Sequence, residues 1–451
     1  MQLGYFTVQG PPRTHPTSCR RVGAPGTLFQ KPETGSEPHS ADAPACGGIE
    51  DERLQVIAFT FPGQGSQRPG MGAAWVDHPS WEIVHEASEA SGRDVASLLL
   101  DADQEALSQT RNTQLATYTM SMLVLDAIER TGVTPSICAG HSLGEYCALV
   151  AAGALAFDTG ARLVSERAEA MQDAAEEHPG AMAALLGIDD EGAERACDDV
   201  GGDVWVANYN APGQVVLAGR RNALDGAIER AREYGAKRVM LLPVNGAFHT
   251  PFMEHARHRL RKALLESRFF DAEVPVIANV DAFPYRRAAD WIRLLAQQLT
   301  SPVMWTRSLA KLKDLGTSLL VEIGPGNVLT GLAKRTVPDI TGISIQTPDD
   351  LDKLLLAVEA AARLQPQAEG GFGEHLYASE RIIVSPAAGV FTPAADVAAH
   401  QAVTVGAEVG HVSGVAVRSP FAGRLSGYIA AEGERVIIGQ PIAWLRTKLE
   451  N

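Results

Sequence analysis

The sequence predicts an α/β protein: a parallel-sheet, hydrolase-like core with a smaller ferredoxin-like unit inserted in it, followed by a small all-β module. Three observations predict this. From about residue 54 to 345, strand-like apolar runs alternate with amphipathic helical stretches, the pattern of a mostly parallel sheet covered by helices. Residues 138–153, CAGHSLGEYCALVAAG, set Ser142 in a G-x-S-x-G frame between a strand-like run and a helical one. From residue 380 onward, short β-type runs are broken by Gly and Pro without a helical period.

The elements follow in order. Residues 1–53 are rich in Pro, Gly, Ser and Thr, as in VGAPGTLFQKPETGSEPHSADAPACGG, and read as a disordered extension or as an upstream start wrongly included. Order begins with LQVIAFTFPGQG, a β-rich run that stops at Gly63. PSICAG reads as a strand, and LGEYCALVAAGAL and DTGARLVSERAEAMQDAA as helices. Within 181–244 the order is βαββαβ: AMAALLG, a helix over DEGAERACDDV, DVWVANYN and GQVVLAG joined by Asn-Ala-Pro-Gly, a helix over RNALDGAIERAREYG, and KRVMLLPV. That is the order of a split βαβ, ferredoxin-like unit. The core domain is expected over 54–363, a linker over 364–379 and the all-β module over 380–451. In that module IVSPAAGVF (383–391) resembles VRSPFAGRL (417–425), and TVGAEVGHV (404–412) resembles IIGQPIAWL (437–445). Two copies of about 34 residues suggest a pseudo-twofold fold.

Composition excludes several functions. A formal charge of -15 over 451 residues argues against nucleic acid as a partner. No apolar run approaches the length of a membrane span, and the N-terminus lacks the apolar segment of a signal peptide. Cys19, Cys46, Cys138, Cys147 and Cys197 form no CxxC pair and no metal-like cluster. They read as reduced thiols of a cytoplasmic protein, with no metal and no cofactor called for.

In a G-x-S-x-G elbow the chain turns sharply from strand to helix and lifts the Ser hydroxyl out of the sheet, with free N–H groups and the positive dipole end of the helix beside it. A Ser needs a base. Of the His residues, His249 in VNGAFHTPFM follows a predicted strand end. His141 is too near in sequence to reach the Ser142 hydroxyl easily and reads as a support of the elbow. His255 and His258 lie in the basic stretch HARHRLRK and read as solvated.

Five motifs now stand in order: FPGQGSQ (61–67), GHSLGEY (140–146), GAFHTPFM (246–253), QLTSPVMW (298–305) and EIGPGNVLTGL (322–332). Together they resemble malonyl-CoA:acyl-carrier-protein transacylases and the acyltransferase domains of polyketide synthases, over about 54–345. The resemblance implies Ser142 as nucleophile, His249 as general base, and the main-chain carbonyl of Gln298 as the group that orients the base. It implies Gln64 and the N–H of Leu143 as the oxyanion hole, and Arg167 as the cation that holds the free carboxylate of a malonyl group. On spacing alone Arg167 reads as part of a solvated helix face. Phe248 before the base implies malonyl over methylmalonyl; His141 joins the substrate-binding set. The implied partners are malonyl-CoA and an acyl carrier protein, in fatty-acid or polyketide biosynthesis, with carrier docking expected on the basic stretch 255–268. The competing reading is a hydrolase of carrier-bound acyl groups, which would not need Arg167.

Residues 380–451, in SPFAGRLSGYIAAEGERVIIGQPIAWL, resemble biotinyl/lipoyl attachment domains, which implies a barrel-sandwich hybrid. Those domains present a Lys at a hairpin tip within an AMKM-like sequence. Here GHVSGVAVRSP stands between the half-repeats, and the last Lys, Lys448, lies in the terminal tail. The module is therefore expected to be unmodified and to act in docking to a synthase complex. A non-catalytic docking or carrier-like subunit is the third reading.

Overall fold

The computed structural model describes residues 56–363 and 380–446, apart from 395, 396, 398, 399 and 422. The expected extension 1–53 and the linker 364–379 lie outside the described residues.

Strand β1 (Val56–Phe61) is β-branched and aromatic and buried from its second residue on. Along the chain follow β2 (Ile137–Gly140), β3 (Ala181–Leu186), β4 (Val204–Ala211), β5 (Gln214–Gly219), β6 (Arg238–Leu241), β7 (Val276–Ile277), β8 (Pro284–Tyr285), β9 (Thr317–Ile323) and β10 (Thr341–Ile345). They form two sheets. The larger has the order β10-β9-β1-β2-β7-β8 and is parallel except for β8 at one edge.

A parallel sheet buried on both faces needs apolar residues at nearly every position, and the period of two sorts them. Phe59, Phe61, Cys138, Leu319 and Val321 enter one core, with the helices Thr110–Arg130 and Phe157–Glu177 packed over it. Ala58, Ile137, Ala139 and Leu320 enter the other, against the helices Trp305–Asp314 and Val328–Thr336 and the face of the smaller sheet.

The smaller sheet is antiparallel, in the order β4-β5-β3-β6, with Asp190–Val200 and Arg221–Glu233 as its helices. Two strands adjacent at the centre and two crossovers are the arrangement of a split βαβ unit. β4 is tied to the larger body: Tyr209 N–H donates to Val303 O and Val303 N–H to Ala207 O, both at 2.9 Å. Two boundaries differ from the sequence reading. The strand read as KRVMLLPV ends at Leu241, because Pro243 has no N–H to continue a ladder. The helix read through Leu155 ends at Ala151, where Gly153 takes a left-handed φ of 71°.

The C-terminal residues form β11 (Glu380–Val384), β12 (Gly389–Pro393), β13 (Ala402–Val403), β14 (Glu408–Val412), β15 (Val415–Arg418), β16 (Gly423–Tyr428), β17 (Arg435–Val436) and β18 (Pro441–Arg446). They make two antiparallel sheets, β11-β18-β16-β13 and β15-β14-β12-β17, over a core that includes Ile383, Phe391, Val409, Leu425 and Ile442. The sequence repeat has a structural counterpart. Ser385 Oγ donates to Ala387 O and accepts from its N–H; Ser419 Oγ does the same with Phe421. Each Ser corner is also held by the other repeat. Ser385 N–H donates to Gln440 O and accepts, through its carbonyl, from Gly439; Ser419 bonds in the same way with Ala407 and Gly406.

Ser385 and Ser419 are each 1% exposed, so removing either hydroxyl leaves buried backbone groups unpaired. Ser385→Ala and Ser419→Ala are each expected to destabilise the module by about 1–3 kcal/mol and by similar amounts. Hydrogen exchange of the β11–β18 amides in the full chain measures this. Protection unchanged in either variant would show that the corner does not hold the fold.

Candidate active site

The site is built where parallel strands end side by side. Phe61, the last residue of β1, pairs with Gly140, the last of β2. The loops after both strands therefore leave the sheet at the same edge. The helix Gly144–Ala151 starts at once after β2, and two glycines make the approach possible. A Cβ on Gly140 would sit 1.9 Å from Gly144 O, and one on Gly144 would sit 2.1 Å from Phe61 O. Between them Ser142 takes a left-handed φ of 52°. That conformation costs a non-Gly residue about 1–3 kcal/mol and persists only when its surroundings enforce it.

The Ser142 hydroxyl has two partners from distant segments. His249 Nε2 lies 2.8 Å from Ser142 Oγ, and His249 Nδ1 lies 2.9 Å from Gln298 O. A main-chain carbonyl can only accept, so Nδ1 carries the proton and Nε2 offers its lone pair to the hydroxyl. His249 is buried and left-handed at φ 61°. Burial, and the guanidinium of Arg167 next, push its pKa down to about 3, which keeps the ring neutral. The second partner is Arg167, whose Nη2 donates to Ser142 Oγ at 3.0 Å and to Gln298 Oε1 at 2.9 Å, while Nη1 donates to Gln114 Oε1. Arg167 is 1% exposed, not solvated as spacing alone suggests. Its hydrogen-bonding partners are neutral oxygens; among the described residues no carboxylate lies within ion-pair distance of it. Burial pulls its pKa below the ordinary value.

The other expected residues fall around this pair. Leu143 caps the helix after Ser142, and its N–H has no partner among the described residues. Gln64 is half-buried in the loop after β1, its side chain likewise unpartnered among them. Phe248 is buried, its ring against the backbone at Gly246. His141 does not reach the hydroxyl: its Nε2 lies 2.9 Å from Asn210 Oδ1 on β4, and its ring packs edge-on against Trp305. His249 also lines a cleft of about 290 Å³ with Trp205, Tyr209, Pro251 and Thr300.

Sequence reasoning missed four polar residues here. Gln114 anchors Arg167, and Asn210 holds His141. Asn279 Oδ1 accepts from Ser142 N–H at 2.6 Å and its Nδ2 donates to Gly140 O at 2.6 Å. Glu145 accepts from Asn279 N–H at 3.2 Å and from Gln298 Nε2. Burial pushes the Glu145 carboxyl up to about 7. The signal for Glu145 was its place in the first turn after the elbow. For Asn279, after the apolar run VPVIA, the sequence carries none. Among the described residues no three His, Cys, Asp or Glu side chains are placed to hold a metal ion, and no helix is long and apolar enough to cross a membrane.

Gly144→Ala forces a Cβ into a backbone oxygen, which cannot yield as a flexible side chain would. It is expected to lower unfolding stability by about 1–3 kcal/mol, measured by urea denaturation. A variant as stable as the parent would mean that the helix start can move away from β1.

The acyl transferase domain family matches residues 58–351. A malonyl CoA-acyl carrier protein transacylase of Bacillus subtilis is 42% identical over 304 residues, which cover 66% of this chain and 96% of that protein. The crystal structure of an acyl-carrier-protein S-malonyltransferase from Burkholderia pseudomallei matches with a TM-score of 0.65 and 39% identity, over 67% of this chain and 100% of that one. A type II polyketide malonyl-transacylase, solved in complex with its acyl-carrier protein, matches with a TM-score of 0.65 and 37% identity, over 67% of this chain and 100% of that one. Sequence and fold agree over the segment that carries Ser142, Arg167 and His249: the chain belongs to the acyl transferase family.

Proposed function

We propose that this protein transfers a malonyl group from malonyl-CoA, through an ester on Ser142, to the phosphopantetheine thiol of an acyl carrier protein. One observation carries the reading. A buried guanidinium with only neutral partners lies 3.0 Å from the candidate nucleophile. A buried cation with no carboxylate in ion-pair contact favours a ligand carboxylate strongly, and this one lies beside the hydroxyl that would carry the acyl group. A hydrolase of simple acyl chains has no use for it.

Ser142 O–H gives its proton to His249 Nε2 as the oxygen attacks the thioester carbonyl. Gln64 and the N–H of Leu143 are the free donors suited to the oxyanion, each worth about 2.7–4 kcal/mol in comparable sites. The C–S bond breaks, the imidazolium of His249 returns the proton to the leaving CoA thiolate, and the malonyl ester remains. The carrier thiol then enters through the cleft beside His249, loses its proton to that base and takes the acyl group as the Ser142 ester bond breaks, and the imidazolium returns the proton to Ser142 Oγ. Arg167 holds the malonyl carboxylate throughout, and Phe248 restricts the space beside the α-carbon. Intact-protein mass spectrometry after incubation with malonyl-CoA tests this. Ser142→Ala is expected to stay unmodified and His249→Ala to acylate roughly 10²–10⁴ times more slowly. Arg167→Ala is expected to lose malonyl transfer while gaining relative use of acetyl-CoA. Stoichiometric malonylation of Ser142→Ala would sink the reading.

Within the stretch 255–268, where carrier docking is expected, the arginines differ in their partners. Arg259 is tied to Glu166 and Asp173, both at 2.6 Å, and Arg257 to Glu254 at 2.9 Å. Arg261 has no acidic partner among the described residues. With Arg257 and Arg293 it lines a cleft of about 650 Å³ that shares Thr300 with the cleft at His249. We place the docking centre there. The module 380–451 reads as a lipoyl-like fold without an acceptor: the β14–β15 tip, where a Lys would stand, is Ser413-Gly414, both left-handed at φ 48° and 88°. Its proposed role is docking to a synthase complex. Arg261→Glu is expected to raise KM for the carrier protein at least about tenfold and leave KM for malonyl-CoA within about threefold. Deleting 364–451 is expected to leave both KM values in place. Equal effects of Arg261→Glu on both substrates would move the docking site elsewhere.

A further inference from the structure

Behind the Ser142 hydroxyl, four residues close a hydrogen-bonded ring. Asn279 binds Ser142 N–H; its own N–H donates to Glu145; Glu145 accepts from Gln298 Nε2; and Gln298 Nε2 also donates to Ser142 O at 2.9 Å. Asn279 and Glu145 are each 1% exposed and Gln298 is 0% exposed. Asn279 and Glu145 do not touch the hydroxyl, yet each determines something that does.

The Asn279 amide spans the two peptide groups that flank His141, one by accepting and one by donating, each at 2.6 Å. This fixes the left-handed turn at Ser142. It also uses up the Ser142 N–H, so that the next N–H, of Leu143, is the one left free. Glu145 acts on Gln298. An ionised carboxylate has no donor and can only accept. It therefore compels Gln298 to turn Nε2 toward it and Oε1 toward Arg167. The main-chain oxygen of that same residue fixes the tautomer of His249. The charged and titratable groups that bear on Glu145 are Arg167, Asp281 and the neighbouring Tyr146.

We propose that Asn279 and Glu145 are positioning residues for acyl transfer: Asn279 holds the Ser142 peptide in its left-handed turn, and Glu145 fixes the Gln298 amide that aligns Arg167. This rests on the roles given above to Ser142, His249 and Arg167.

The two residues predict different kinetic signatures. Asn279→Ala loosens the nucleophile alone. The rate of Ser142 acylation is expected to fall at least about tenfold, with KM and the malonyl-to-acetyl preference within about threefold of wild type. Glu145→Gln must point an NH₂ at either the Asn279 N–H or the Gln298 amide. It is expected to reverse Gln298, remove an acceptor from Arg167 and lower the malonyl-to-acetyl ratio of kcat/KM at least about tenfold. The pH profile separates positioning from mere support. His249, near 3, stays unprotonated through the neutral range, whereas Glu145, near 7, gains a proton as the pH falls and can then no longer accept from both partners. Wild-type kcat/KM is expected to fall below about pH 7, and Glu145→Gln to lack that limb. A limb and a ratio both retained in Glu145→Gln would overturn the role of Glu145. If that variant does not fold, a wild-type profile flat between about pH 5 and 8 would overturn it instead. Acylation of Asn279→Ala within about threefold of wild type would overturn the role of Asn279. Failure of the wild type itself to malonylate Ser142 would sink the functional reading and this inference with it, whereas the outcomes above overturn this inference alone.

Discussion

One buried amide residue, Gln298, sets the terms for the whole site. It stands at the end of the helix Ala288–Gln298, where main-chain groups leave the helical ladder and become available to others. Its carbonyl accepts the hydrogen bond of His249 Nδ1–H, and its side chain joins Arg167, Glu145 and the Ser142 carbonyl. Many Ser–His sites use a buried carboxylate behind the imidazole. A carbonyl orients the ring equally well but brings no negative charge. The nearest full charge to the ring is then positive, and the imidazole stays neutral.

That choice is consistent with the cation beside it. A carboxylate behind His249 would compete with an incoming acid for Arg167. Gln114, Gln298 and Ser142 give the guanidinium hydrogen bonds without cancelling its charge. The arrangement is costly for the folded chain, because a buried cation is stabilised less by amide oxygens than by a carboxylate. Glu145, buried nearby, offsets part of that cost from a distance without occupying the place of a ligand.

The sequence made the main elements legible. The alternation of apolar runs marked the sheet, and the βαββαβ order within 181–244 matched the strand order found. The elbow could be read from Gly140 and Gly144, which the structure explains by backbone approaches too close for any Cβ. The partners of Ser142 came from resemblance, since nothing in spacing joins residues 25 and 107 positions away. Arg167 looked solvated because its sequence neighbours Glu166 and Glu169 are charged. Burial of one residue in a charged stretch depends on which helix packs above it, here Thr110–Arg130, and no local pattern carries that. The same blindness affected Arg259: its sign was readable, but Glu166 and Asp173, on another helix, were not readable as its partners. Asn279 follows a two-residue strand too short to leave a pattern.

The reciprocal corners of the C-terminal module bear on how that part of the chain comes into being. Ser385 leans on residues 439 and 440, and Ser419 on residues 406 and 407. Neither repeat can close its corner from its own residues. As the polypeptide leaves the ribosome, the first corner must wait for nearly the whole module to emerge, while the preceding α/β body can already have folded. The module is thus made after that body and all at once, and translation that stops in its second repeat would release a folded α/β body carrying an unformed tail.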